Sequence, residues 1–94
     1  MILTKNGTNP ITKSILGTTG NIFVIYTSGV FGGATVEIQY KNGLGQYKTL
    51  QDGALAVDTQ TEIRKGRGVD LFITVTGATG TTEIDIITAV SGNG

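Results

Sequence analysis

The sequence predicts an all-β protein, a mostly antiparallel β-sandwich or small barrel of about seven or eight short strands. Three observations favour this class. Threonine, isoleucine and valine make up 34 of the 94 residues, and these β-branched side chains suit a pleated, half-buried surface. Glycine contributes 15 residues that can form turns between strands. Apolar and polar residues alternate in three separate segments, and no apolar stripe with helical spacing is present.

The clearest predicted element is a β-hairpin between Ala34 and Leu50. In ATVEIQYK apolar and polar residues alternate strictly, which predicts a strand with one buried and one exposed face. The following NGLG contains residues that tolerate positive φ, so the chain can reverse direction there. VDLFITVT and TEIDIITAV show the same alternation later in the chain. The predicted core therefore includes Val36, Ile38, Leu71, Ile73, Val75, Ile84 and Ile86.

The two ends of the chain differ from this pattern. Residues 1–20 are polar and rich in turn residues, so we expect an extended N-terminal arm with one short strand near Ile11 to Leu16. Residues 21–90 are expected to form the sandwich domain, and residues 91–94 a flexible tail. The segment NIFVIYT is apolar at successive positions, which predicts a strand covered on both faces. The core would cover one face, and the arm or a partner subunit the other.

The composition argues against several kinds of functional site. The chain has no cysteine and no histidine, so it lacks disulfides, the usual ligands of zinc, copper and iron, and the common serine and cysteine triads. We therefore expect no metal, no cofactor and no catalysis.

Seven basic and seven acidic residues give a net charge of zero, which argues against nucleic-acid binding. No membrane span or signal peptide is recognisable, so we expect synthesis in the cytoplasm.

Two charged clusters have a functional interpretation and a structural one. Glu83 and Asp85 face the same way on one predicted strand and could bind calcium, but outward charges also protect strands from aggregation. Arg64, Lys65 and Arg67 surround a predicted turn and could bind an anion or an acidic surface. Charge is also common at solvated turns. The sequence favours the structural interpretation for both clusters.

Apolar residues outside the predicted core are candidates for a protein interface. Phe31 lies in the glycine-rich loop SGVFGG, where it either closes the core or docks on a partner. A small domain without disulfides or a metal can gain stability by association, so we expect a homo-oligomer, although the residues do not choose between a trimer and a dimer. Tyr26, Tyr40 and Tyr47 could instead form a sugar-binding platform. With the arm and the basic cluster included, the candidate interface residues are Ile11, Ile15, Leu16, Val30, Phe31, Arg64, Lys65, Arg67, Phe72 and Ile87.

From Ser28 to Ile87 the chain resembles the small decoration, or cement, proteins of tailed-bacteriophage capsids. The resemblance lies in the hairpin FGGATVEIQYKNGLGQYKTL, in the following DGALAV, and in GVDLFITVTGATGTTEIDI after a charged turn. It implies a compact β-sandwich and a structural virion protein, made in the host cytoplasm, that binds the major capsid protein on the capsid surface. Because capsid decoration often sits at symmetry axes, the resemblance also implies a trimer first and a dimer second. A carbohydrate-binding module and a tail or adaptor subunit of a virion are the alternatives.

Overall fold

The computed structural model describes residues 1–11, 22–64 and 69–92, and it confirms the all-β fold class. These residues contain eight strands and no helix. The strands are β1 (Ile2–Leu3), β2 (Gly7–Pro10), β3 (Ile22–Val30), β4 (Thr35–Lys41), β5 (Tyr47–Leu55), β6 (Thr59–Arg64), β7 (Leu71–Thr76) and β8 (Glu83–Gly92).

The strands form two four-stranded sheets that pack face to face as a β-sandwich. The first sheet has the order β1-β8-β3-β6 and the second the order β2-β7-β4-β5, and all neighbouring strands are antiparallel. Among the strands that the structure describes, only β4 and β5 are neighbours both along the chain and in a sheet, and all other consecutive strands lie in different sheets. The β1–β2, β3–β4, β5–β6 and β7–β8 loops therefore share one end of the sandwich, which we call the loop end.

The predicted core is confirmed. Every second residue of the best-defined strands points between the sheets, because side chains alternate from one face of a strand to the other. The seven predicted core residues are all buried. Further buried apolar residues that pack in the same cluster are Leu3, Ile11, Ile25, Phe31, Ala34, Leu55 and Ile63.

The extended N-terminal arm is not confirmed. β1 pairs with β8 and β2 pairs with β7, so residues 1–11 add one edge strand to each sheet. Leu3 and Ile11 are buried in the core, and Ile11 is therefore not available as an interface residue. The polar composition was misleading because the partners of an edge strand are backbone groups, which every residue type carries. Ile15 and Leu16, also predicted in the arm, lie outside the described residues.

At the other end of the chain β8 continues to Gly92. Ser91 and Gly92 therefore belong to a strand and not to the expected flexible tail, whereas residues 93–94 lie outside the described residues. The strand that begins in TEIDIITAV continues its backbone pairing into Ser91 and Gly92, because pairing between strands needs no particular side chain.

The predicted β4–β5 hairpin is confirmed, with its loop over residues 42–46. Asn42 organises this loop, since its Oδ1 accepts hydrogen bonds from the backbone N–H groups of Leu44 and Gln46, both at 2.9 Å. The pairing further along is irregular. Gln39 faces Thr49 whereas Glu37 faces residue 54, so two steps along β4 correspond to five along β5.

Candidate interaction surfaces

The outer face of the first sheet carries a group of exposed apolar side chains. The register places Tyr26 of β3 opposite Ile87 of β8, and Ile2 of β1 opposite Asp85 of β8. The exposed fractions are 42% for Tyr26, 53% for Ile87 and 58% for Ile2. Val30, at the end of β3, lies on the same face and is 55% exposed. We call Ile2, Tyr26, Val30 and Ile87 together the apolar face.

The two faces of β3 are covered to different extents. Phe23 and Ile25 point toward the second sheet and are buried, as expected for one face of this strand. On the outward side Val24 is also buried, but Tyr26 remains exposed in the single chain. The prediction that β3 is covered on both faces therefore holds on its outer side at Val24. At Tyr26 the outer side is open.

Acidic groups lie within and beside the apolar face, since Asp85 is paired with Ile2 on one side and with Ser28 on the other. Glu83 and Asp85 of β8 both project from the outer side, as the sequence predicts, and Glu83 lies directly opposite Val30. Glu62 of β6 projects from the same side, with Arg64 two residues further along. The N-terminal amine lies 3.7 Å from the Oδ1 atom of Asp85. A partner that covers this face should therefore combine apolar side chains with basic groups at its edge.

The carboxylates do not assemble into a metal site in the part of the chain that the structure describes. No group of three or more acidic residues there could hold a metal ion. Glu83 and Asp85 alone supply too few oxygen atoms for calcium, which takes about six to eight. Within the same residues no helix is long and apolar enough to cross a membrane.

Phe31 closes the loop end of the core. Its side chain is only 9% exposed and packs in the core cluster, so the inward interpretation replaces the docking one. Its carbonyl oxygen accepts hydrogen bonds from the Thr82 hydroxyl at 2.8 Å and from the Ala34 N–H at 2.9 Å. The Thr79 hydroxyl donates to the Gly32 carbonyl at 3.0 Å. These bonds join the β3–β4 loop to the β7–β8 loop and hold Phe31 in place.

Phe72 lies on the opposite side of the molecule from Ile87. It projects from the outer face of the second sheet, where its ring meets that of Tyr47 edge to face with 5.1 Å between centroids. The Lys41 ammonium lies 5.6 Å from the centroid of the Tyr47 ring. Phe72 and Ile87 were both predicted as interface residues, but the whole sandwich separates them. They cannot belong to one contact patch.

A row of hydrogen-bonded polar side chains crosses the outer face of the second sheet from β2 to β5. The hydroxyls of Thr8 and Thr74 lie 2.8 Å apart, and Thr74 donates to the Gln39 Oε1 atom at 2.7 Å. The Gln39 Nε2 group donates to Glu37 and to Thr49, both at 3.1 Å. Gln39 can be buried because its amide has partners. Sequence reasoning missed this row, since Thr8 and Thr74 lie on β2 and β7, which are distant along the chain from the β4–β5 hairpin.

The three tyrosines do not form a common sugar-binding platform. Tyr26 projects from the first sheet and Tyr47 from the second, whereas Tyr40 packs partly against the core between them. A sugar ring could therefore contact only one of them.

Arg64 is the exposed last residue of β6. Lys65 and Arg67, the other members of the predicted basic cluster, lie outside the described residues. An anion site at this turn stays a prediction.

Comparisons with protein-family models, with curated proteins and with solved structures find no match to this chain. Its function is therefore inferred from its own surfaces and from the resemblance in the sequence.

Proposed function

We propose that the protein is a structural component of a bacteriophage virion that binds the outside of the capsid and stabilises the junctions between capsomers. The proposed partner is the major capsid protein. The resemblance over Ser28 to Ile87 supports this role. The observation that carries it is the apolar face, because four large apolar side chains are exposed on the outer face of one sheet, around Asp85. Exposed apolar patches commonly mark protein contacts.

Such a protein stabilises a capsid by adding buried surface. Each Å² of apolar surface removed from water contributes about 25 cal/mol. Part of this gain is offset by the translational and rotational entropy lost on association, so one copy contributes a modest net amount. Many copies on a symmetric shell add these contributions across all the junctions that they cover.

Hydrogen bonds order the loop end, where Val30 of the apolar face lies. The Ala78 N–H donates to the Asn6 side chain at 2.8 Å, and the Gly29 N–H donates to the Asp58 carboxylate at 3.1 Å. The first bond joins the β7–β8 loop to the β1–β2 loop, and the second joins the end of β3 to the β5–β6 loop. A surface that is already ordered loses less conformational entropy when it docks than a flexible one.

Capsid binding can be tested by co-sedimentation with capsids that lack this protein. We expect the wild-type chain to bind to saturation. Tyr26→Asn, which removes the aromatic ring from the apolar face without adding charge, should weaken binding about tenfold or more, as loss of a central tyrosine does at other interfaces. The matched control is Leu44→Asn, since Leu44 is 83% exposed in the β4–β5 loop away from the apolar face.

The co-sedimentation results test the capsid-binding role and the apolar face as contact surface separately. A wild-type chain that does not sediment with capsids contradicts the proposed function. Equal binding of the Tyr26→Asn and Leu44→Asn variants contradicts the apolar face as the contact. An electron-microscopy map that finds the protein on the tail favours the tail or adaptor alternative.

Carbohydrate binding is a second candidate, and one observation favours it. Tyr47 is 43% exposed beside the polar row on the second sheet, so an aromatic ring lies next to hydrogen-bonding side chains there. Retention of the wild-type chain on an immobilised polysaccharide, with release of a Tyr47→Asn variant, would support this function. If the same wild-type chain ignores capsids, carbohydrate binding replaces the capsid role.

A further inference from the structure

One side of β8 is only partly paired. On its other side, β8 pairs with β3 over the full length of β8. On the open side β1 pairs with Ile84 and Asp85, and Met1 exchanges two backbone hydrogen bonds with Ile86, of 3.0 and 2.8 Å. In residues 1–11, 22–64 and 69–92 no strand pairs with this side of residues 87–92.

The alternation of the ladder identifies the backbone groups on this open edge. In an antiparallel pair every second residue directs its N–H and C=O toward the same neighbour. Ile86 directs both groups toward the side of β1, so Thr88 and Val90 direct theirs toward the same side. Ile87 and Ala89 direct theirs toward β3, with which β8 pairs regularly up to Val90. An edge with unpaired backbone groups is a template for another strand.

The other three sheet edges carry features that oppose strand addition. β2 contains Pro10, which has no N–H group to donate. β5 is interrupted by its irregular pairing between Thr49 and Ala54. β6 carries Glu62 and Arg64 on its outer face. The open stretch of β8, ITAVSG, contains neither a charged residue nor a proline.

We propose that two copies of this chain associate through the open edges of β8, with the two strands antiparallel about a twofold axis. The stretch is complementary to itself for two reasons. Its side chains are uncharged, and the N–H and C=O groups of Thr88 and Val90 can form hydrogen bonds with the same groups of the other copy. Asp85 pairs with β1 and Glu83 is the first residue of β8, so both carboxylates lie outside the contact.

The geometry of this contact has a consequence for the apolar face. An antiparallel edge contact places the twofold axis perpendicular to the sheet, so both first sheets join into one continuous sheet. The two apolar faces then lie on the same side of the dimer. The resemblance favours a trimer before a dimer, and the open edge reverses that order. The association itself does not depend on the proposed capsid role.

The dimer can be tested by sedimentation equilibrium of the purified chain. The wild-type mass should be twice the 9.8 kDa of the chain. Ala89→Lys should raise the dissociation constant at least about tenfold, because two lysines then repel each other across the contact. Ala89 is exposed and its backbone groups pair with β3, so this change leaves the ladder intact. Ala54→Lys, at an exposed alanine of the second sheet, is the matched control and should remain dimeric.

Two further experiments, mixing of oppositely charged variants and amide hydrogen exchange, distinguish a variant that loses the dimer contact from one that loses its fold. Ala89→Asp alone should also be monomeric, and an equimolar mixture of the Ala89→Lys and Ala89→Asp variants should restore the dimer, since opposite charges then face each other. The amide protons of Thr88 and Val90 should gain protection from exchange as the wild-type chain dimerises, whereas those of Ile87 and Ala89 should be protected in both states. A wild-type chain that is monomeric at every soluble concentration, or trimeric, overturns the proposal. So does an Ala89→Lys variant that dimerises as well as the wild type.

Discussion

Gly32 is the residue on which the contact between two loops at the loop end depends. It has a φ of +61°, and a Cβ atom at this position would lie 2.7 Å from the hydroxyl oxygens of both Thr79 and Thr81. A side chain here would therefore be strained and would displace the hydroxyl that bonds to the Gly32 carbonyl.

We expect Gly32→Ala to lower the free energy of unfolding by about 1–3 kcal/mol, from backbone strain and from the displaced threonines. Gly33→Ala is a matched control, because Gly33 also has a positive φ of 92° but has open space around its Cα. Chemical unfolding in urea measures both variants. The larger loss should occur at Gly32, and equal losses would show that the threonine contacts contribute nothing.

At the scale of elements, the first two strands are part of the sandwich and not an appendage. β1 and β2 each pair with a long strand, and Leu3 and Ile11 fill positions in the core. Deletion of residues 1–20, which the sequence suggests would mainly weaken association, should therefore mainly unfold the protein.

We expect removal of residues 1–11 to lower the free energy of unfolding by more than about 3 kcal/mol, since large-to-small changes of single core residues cost about 2–5 kcal/mol. The melting temperature followed by circular dichroism measures this loss. The double substitution Thr4→Ala with Lys5→Ala, at two exposed positions between the strands, controls for changes in this segment that leave the core intact. A truncated chain with an unchanged melting temperature would contradict the contribution of these strands.

The elements differ in how far the sequence predicts them. The hairpin and the strands around Ile73 and Ile84 were predictable, because their alternation is a local property of a few residues. β1 and β2 were not, since GTNP has no alternation and pairs only because β7 offers an edge beside it. For Phe31 the sequence left two orientations open, and the surrounding core decides between them.

On the scale of the whole molecule, the proposed dimer links folding to association. A native state that dimerises is stabilised by mass action, so its melting temperature depends on protein concentration. We expect the melting temperature of the wild-type chain to rise over about a hundredfold range of concentration, and that of the Ala89→Lys variant to remain constant. Differential scanning calorimetry at several concentrations measures both. A constant wild-type value would indicate a monomer.

The sequence by itself determined the all-β class and the inward residues of the main strands. It also contains no histidine and no cysteine with which to build a thiol site or a metal site that uses those ligands. These properties depend on composition and on alternation between adjacent residues. Only the tertiary structure decided which strands are neighbours, because a strand shows the same alternation of apolar and polar residues whichever strand pairs with it. The bond between Met1 and Ile86 spans 85 positions of the chain, and such a non-local contact forms only when the fold brings β1 beside β8. The apolar face and the open edge of β8 are products of that arrangement, which is why no single segment of the sequence shows them.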